Sequence, residues 1–235
     1  MNPKSAKGAT RTSLGSNELA APRSVLRGFR RGTFRTGGVA LAAVSLLAAQ
    51  ERMPAIPQDQ MTDAQKSVVK DITSGPRGVL NGPFIPLLRS PEFEARLQKV
   101  GEYLRYDNAL GRKLTEFIIL ITARDWTQQF EWSVHEPLAL QAGVKPEVAA
   151  AITDGRRPTG MPEDEEIVYD YCAELLQNKS VSDATYARAV KKFGEKGVID
   201  MTGVVGYYSL LGMILNATRV PAGESKAPRL PEFPH

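Results

Sequence analysis

Apolar side chains recur every three or four positions along most of the chain between about residues 60 and 220, the spacing of one helix face. The clearest case follows residues 90–92, Ser-Pro-Glu, where a cap, a first-turn proline and an acid start a helix. The residues that then recur at intervals of four, three and four, and are predicted to be buried together, are Phe93, Leu97, Val100 and Leu104.

Similar start and stop signals predict the other helices. Thr62 and Gln65 form a capping box for a helix that runs to about Ile72, and the stretch from Gly75 to Pro86 is predicted to be a loop. Since no stretch shows the alternation of period two that is typical of strands, the predicted fold class is all-α, in a single domain. Further helices are predicted to begin near Gly111, Gln128, Pro146, Pro162, Ser182 and Gly197.

The positive charge of the chain is concentrated at its N-terminus. Residues 1–36 contain eight Lys or Arg side chains and one acid, so this segment contributes +7 to the net charge of +4, and the remaining residues contribute −3. The basic pI therefore belongs to the N-terminal segment, and nucleic-acid binding by the helical region is not expected.

A short apolar segment follows this basic stretch. The thirteen uncharged residues from Gly37 to Ala49 are too few to span a bilayer, so no stable membrane span is expected, but they fit the apolar region of a signal peptide. With the pair Arg30-Arg31 they look like a twin-arginine export signal, which predicts a periplasmic or secreted protein; a basic tail on a cytoplasmic protein is the alternative. The predicted organisation is a leader over residues 1–50, a linker over 51–60, a domain over 61–220 and a tail over 221–235.

Glu116 is the one ionisable residue in the apolar run from Leu114 to Ala123. Removing a carboxylate from water costs several kcal/mol unless the group is paired or stays protonated, so this position is a candidate for chemistry. The alternative is that Glu116 lies on a thin solvent-facing edge of its helix.

Glu131 and His135 stand four residues apart on the next predicted helix and therefore share a face. A carboxylate beside an imidazole is a workable general acid/base pair, because the carboxylate can fix the tautomer and raise the pKa of the imidazole. The alternative is a pair on the helix surface. Pro137 cannot donate to the carbonyl of Ser133, so a kink is predicted beside His135.

The run Glu116-x14-Glu131-Trp132-x2-His135-x3-Ala139-x3-Gly143 resembles the signature of the carboxymuconolactone decarboxylase family. The stretches Gly82-Pro83-Phe84 and 110–123 are also similar, and the resemblance covers roughly residues 78–220. It implies an alkylhydroperoxidase D-like (AhpD-like) helical bundle and a homo-oligomer, trimeric or a multiple of it.

The other branch of this superfamily uses two cysteines before the histidine, and here those positions hold Gln128 and Glu131. The one cysteine of the chain, Cys172, is expected to be buried and inert, and neither an internal disulfide nor thiol peroxidase activity is expected. Glu116 and His135 fall on the relay positions of that branch, so the resemblance implies that they are retained.

The resemblance implies decarboxylation of a small carboxylated lactone, or of a related enolisable acid, with no metal and no organic cofactor. His135 would deliver the proton, Glu131 would orient or recharge it, and a protonated Glu116 would bind the developing enolate. The alternatives are a metal-dependent enzyme with a Glu116, Glu131 and His135 site, and a non-catalytic protein that binds small molecules. The side chains that could bind a substrate carboxylate are Arg124, Arg156 and Arg157. Tyr207 and Tyr208 are expected to be core and rim residues and not catalytic ones.

Overall fold

The computed structural model describes residues 50–232, so the predicted export signal and His235 lie outside the described residues. Within this range the chain forms helices and no strands, which confirms the all-α prediction. The helices are α1 (Asp63–Ser74), α2 (Phe84–Leu87), α3 (Pro91–Tyr106), α4 (Gly111–Asp125), α5 (Gln129–Gln141), α6 (Pro146–Thr153), α7 (Glu163–Asn178) and α8 (Asp183–Thr218), preceded by one 3-10 turn at Gln58–Gln60.

Helix α4 is the centre of the bundle. It packs against α5, α7 and α8 and, less extensively, against α3 and α6. Every side chain from Leu114 to Arg124 is buried, because the helix is surrounded by neighbours on most sides. A polar group on α4 is therefore held in the core, and this is the position of Glu116.

Local signals fixed most helix ends as predicted. The capping box of α1 is present, with the Thr62 side chain accepting from the backbone of Gln65 and the Gln65 side chain accepting from the backbone of Thr62. Gly143 follows α5 with a φ of 101°, a conformation that glycine adopts without a steric penalty. The predicted loop ends earlier than expected, because the four-residue helix α2 buries Phe84 and Leu87 in the core.

The predicted buried face of α3 is wrong in two of its four residues. Leu97 and Leu104 are buried, but Phe93 and Val100 are 44% and 50% exposed. Relative to the prediction, α3 is rotated about its own axis, because it meets α8 closely at Gly101. A Cβ atom at that position would lie 2.0 Å from the hydroxyl of Tyr207. The residues that α3 does bury are Glu94, Leu97, Gln98, Gly101 and Leu104.

Helix α8 contains a break at Gly194, whose φ of 69° and ψ of 172° are not helical. The two helices predicted from the sequence thus meet there. By length and composition α8 is apolar enough to cross a membrane, but 56% of its most apolar window is buried inside the fold.

The tail after α8 folds back along α5. Leu230 is buried, and the side-chain amide of Gln129 donates to its carbonyl and accepts from its backbone N–H. The carbonyl of Ser133, which Pro137 leaves without its helical donor, accepts a hydrogen bond from the Ser225 hydroxyl at 2.9 Å. The predicted tail is therefore part of the folded structure as far as residue 232.

Candidate active site

Glu116 lies in the interior of the bundle and not at a solvent-facing edge. Its exposed fraction is 3%, so the surface alternative for this residue is wrong. One carboxylate oxygen, Oε2, lies 2.6 Å from Nδ1 of His135 on the neighbouring helix α5. A short contact between two buried groups is typical of a charge-assisted hydrogen bond.

Glu131 meets the other nitrogen of the same imidazole. Nε2 of His135 lies 3.4 Å from Oε2 of Glu131, one turn earlier on α5. Both side chains are buried, so the helix-surface alternative is also wrong. The structure therefore places the three residues in one line, Glu116–His135–Glu131, with the imidazole in the middle.

The two carboxylates decide the protonation of His135. Burial alone would lower its pKa, but hydrogen bonds with Glu116 and Glu131 and their negative charges raise the pKa above its ordinary value. The imidazolium form, which can donate through both ring nitrogens, is the form that suits two carboxylate neighbours. The site thus favours a protonated imidazole between two carboxylates.

Tyr207 and Tyr208 are buried, as expected for core residues, but Tyr208 also contacts the site. Its ring stands edge-on to the imidazole of His135, with centroids 5.2 Å apart and planes at 87°. Tyr207 packs against Tyr208 at 5.3 Å. Burial raises the pKa of Tyr208 well above its ordinary value and that of Tyr207 to about 12, so both phenols are neutral.

Two cavities adjoin the ends of this line. We call the first the Glu116 cavity; it has a volume of about 300 Å³. The second, the Glu131 cavity, has a volume of only about 30 Å³. The residues lining the Glu116 cavity are Arg105, Tyr106, Asn108, Gly111, Arg112, Glu116 and Leu138. Polar residues lining the Glu131 cavity are Arg77, Asn81, Arg105, Glu131, His135 and Tyr208.

Arg105 lines both cavities and supplies positive charge to both ends of the line. Burial alone would lower its pKa, but the acidic groups of Tyr208, Tyr106, Glu116 and Glu131 together raise it. Arg105 was missed in the sequence because α3 was assigned the wrong buried face. It stands four residues after Gly101, on the face that α3 turns toward α8.

The three arginines that the sequence offered as carboxylate-binding candidates lie away from both cavities. Arg156 pairs with Asp154 at 2.7 Å and Arg157 with Asp170 at 3.0 Å. Arg124 donates to the carbonyl of Pro231 in the tail. These side chains line neither the Glu116 cavity nor the Glu131 cavity.

The geometry does not favour a metal ion held by the three residues together. The two ring nitrogens of an imidazole point in different directions, and each faces one carboxylate, so Glu116 and Glu131 do not converge on an ion bound at either nitrogen. Within residues 50–232, no cluster of three or more His, Cys, Asp or Glu side chains is arranged to hold a metal.

The two positions at which the other branch of the superfamily has cysteines hold Gln128 and Glu131. The amide of Gln128 caps α5 by accepting from the Phe130 backbone and donates to Asn216 at 2.8 Å. Cys172 is fully buried, and burial raises the pKa of its thiol. Redox chemistry requires an accessible thiol with a low pKa, and Cys172 does not provide one.

The described fold is similar to the crystal structure of an alkylhydroperoxidase AhpD core, an uncharacterized peroxidase-related protein from Ralstonia eutropha JMP134. The two share 15% identity with a TM-score of 0.60, and the match covers 73% of this chain and 91% of that one. At this identity the likeness shows the fold, so the prediction of an AhpD-like helical fold is confirmed. No protein-family model and no curated protein matches the chain.

Proposed function

We propose that this AhpD-like chain is a cofactor-independent acid/base enzyme that decarboxylates a small carboxylated lactone or a related enolisable acid. The observation that carries the proposal is the buried line Glu116–His135–Glu131, one end of which adjoins a cavity with two arginines. The sequence resemblance to the carboxymuconolactone decarboxylase family supports the reaction class.

The Glu116 cavity is the substrate site in this proposal. Its volume of about 300 Å³ suits a small acid, whereas the Glu131 cavity is too small for one. Arg105, which is half-buried, and Arg112, which is exposed at the cavity, offer guanidinium groups to carboxylates of the substrate. Leu138 supplies apolar contact.

The reaction breaks one carbon–carbon bond and forms one carbon–hydrogen bond. The electron pair of the bond to the carboxylate stays on the substrate as an enolate while CO2 leaves, and the carbon then takes one proton. Arg105 stabilises the negative charge of the enolate, since a half-buried guanidinium is a positive group already in place where that charge develops. Glu116, which lines the cavity, takes the Nδ1 proton of His135 and delivers it to carbon.

That proton leaves His135 through the 2.6 Å contact between Nδ1 and Oε2 of Glu116, and solvent restores it after the product has left. Glu131 holds the positive charge on the imidazole from the opposite nitrogen. These roles differ from those expected from the sequence, because the imidazole separates the two glutamates. Of the three residues, Glu116 alone lines the cavity proposed for substrate. His135 is the reservoir, and Glu116 is the group that meets substrate.

The proposal is tested by measuring CO2 release from a panel of carboxylated enol lactones. His135→Gln and Glu116→Gln should each lower turnover at least about 100-fold, the lower end for a lost general acid or base. Glu147→Gln, an exposed carboxylate on α6, is the matched control and should be silent. If the wild type binds the lactones and gains thermal stability but releases no CO2, the chain is a binding protein.

Export and assembly also belong to the proposal. Mass spectrometry of the N-terminus after cell fractionation tests export, and an intact Met1 in the cytosol would contradict it. A native mass equal to that of one chain would contradict the homo-oligomer that the resemblance implies.

A further inference from the structure

A further cavity lies between helix α5 and the C-terminal tail, away from the proposed substrate site. We call it the tail cavity; its wall is formed by the face of α5 that carries Trp132 and by tail residues between 221 and 229. None of its lining residues lines the Glu116 cavity or the Glu131 cavity. Its volume of about 490 Å³ lies within the range of small-molecule sites, roughly 300–1,000 Å³.

The tail is tied to α5 on both sides of this cavity. The Ser133 hydroxyl donates to the carbonyl of Ala222 at 3.2 Å, and the Ser225 hydroxyl donates to the carbonyl of Ser133 at 2.9 Å. At the other end, the side-chain amide of Gln129 makes two hydrogen bonds with the backbone of Leu230. Since these contacts already hold the tail in place, a ligand does not have to order the wall on binding.

Trp132 gives the tail cavity an apolar side with one unused donor. The side chain is 1% exposed, and its indole Nε1 has no hydrogen-bond acceptor within residues 50–232. A buried donor without an acceptor is costly, so the site favours a ligand that carries an acceptor beside its apolar part. The tail residues that extend the apolar wall are Pro221, Ala227 and Pro228.

Two opposite charges line the same cavity. Glu224 and Arg229 both belong to the tail, and both are exposed at the cavity. A guanidinium binds a carboxylate through paired hydrogen bonds, and a carboxylate accepts from an ammonium group. A ligand with one charge finds a partner in one of the two side chains and a like charge in the other, whereas a zwitterion finds a partner in both.

We propose that the tail cavity binds a free α-amino acid with a large apolar side chain. The carboxylate of the ligand pairs with Arg229 and carries spare acceptors for Nε1 of Trp132. The ammonium group pairs with Glu224. The apolar side chain packs against the indole ring, Ala227 and Pro228. This binding site is independent of the proposed decarboxylation, because it shares no lining residue with the Glu116 cavity.

The test uses L-phenylalanine and two analogues, each of which lacks one of its charges. 3-Phenylpropanoate has no ammonium group, and phenethylamine has no carboxylate. Binding is followed by the fluorescence of Trp132 in full-length Trp126→Phe, in which Trp132 is the one remaining tryptophan. Calorimetric titration of the unaltered chain gives the same affinities without that substitution. L-Phenylalanine should bind at least about fivefold more tightly than either analogue, the upper end for an ion pair with an exposed side chain.

Variants of the tail separate the two charges. Glu224→Gln should weaken L-phenylalanine binding about fivefold and not weaken 3-phenylpropanoate, while Arg229→Gln should weaken L-phenylalanine equally and not weaken phenethylamine. Lys226→Gln changes an exposed tail residue that does not line the cavity and should leave all affinities unchanged. Absence of saturable L-phenylalanine binding up to about 10 mM, equal affinity for the three compounds, or binding that neither Glu224→Gln nor Arg229→Gln weakens would overturn the inference.

Discussion

Glu94 allows a sharp test of how the fold tolerates a buried carboxyl group. The side chain is fully buried on α3, and both carboxylate oxygens lack hydrogen-bond partners within residues 50–232. Burial raises its pKa to about 8 from an ordinary value of 4.5. The folded protein therefore keeps the proton on Glu94 over a pH range in which the unfolded chain releases it.

The sign and size of the effect follow from linkage. Between the two pKa values the folded state binds more protons than the unfolded state, so stability contributed by neutral Glu94 is lost as the pH rises. With the pKa values 4.5 and about 8, the free energy of unfolding should fall by about 3 kcal/mol between about pH 5 and about pH 8 on account of this one group. Glu94→Gln, which does not titrate, should abolish that fall.

The assay is chemical denaturation of wild type and Glu94→Gln at both pH values. Only the change between the two values is compared, because the amide has its own, pH-independent cost at this site. Glu92→Gln removes an exposed carboxylate two residues earlier on the same helix and serves as the matched control. If wild type and Glu94→Gln show the same pH dependence, the carboxyl group at position 94 is not held neutral and the reasoning fails.

Two further outcomes are expected. In a thermal melt, Gly101→Ala should destabilise the protein by about 1–3 kcal/mol, because its methyl group would stand 2.0 Å from the Tyr207 hydroxyl. Gly206→Ala is the control and should be neutral or stabilising, because its methyl group would meet no described atom within 4 Å. Hydroperoxide consumption with a dithiol reductant should be negligible in the wild type and unchanged in Cys172→Ser, since the chain has one cysteine and it is fully buried; activity lost in the variant would contradict this.

Local signals in the sequence were sufficient for most of the helices. Caps, first-turn prolines and terminal glycines act within a few residues, so the starts of α1, α3 and α8 follow from the residues nearby. The buried face of α3 did not follow from them. Its apolar spacing favoured Phe93 and Val100, but the close approach of α8 at Gly101 determines which side faces inward, and that approach depends on residues about 100 positions away.

The candidate site shows the same division. Glu116 was conspicuous as a charge in an apolar run, and Glu131 and His135 share a face by their spacing. The order of their contacts was not readable from the sequence, because it depends on how α4 packs against α5. Arg105 and the two cavities arise only when α3 is placed beside that pair, so the large cavity and its positive charge needed the tertiary structure.

The most direct test of the central claim is an NMR titration of His135 in the full-length protein, with His235 as the second histidine signal and Glu116→Gln and Glu131→Gln as variants. Hydrogen bonds with Glu116 and Glu131 raise the pKa of His135, so the ring should remain an imidazolium above the ordinary histidine value of about 6.5, and each variant should lower its pKa. A His135 ring that is already neutral at about pH 6.5, or a His135 pKa that neither variant changes, would contradict the line Glu116–His135–Glu131.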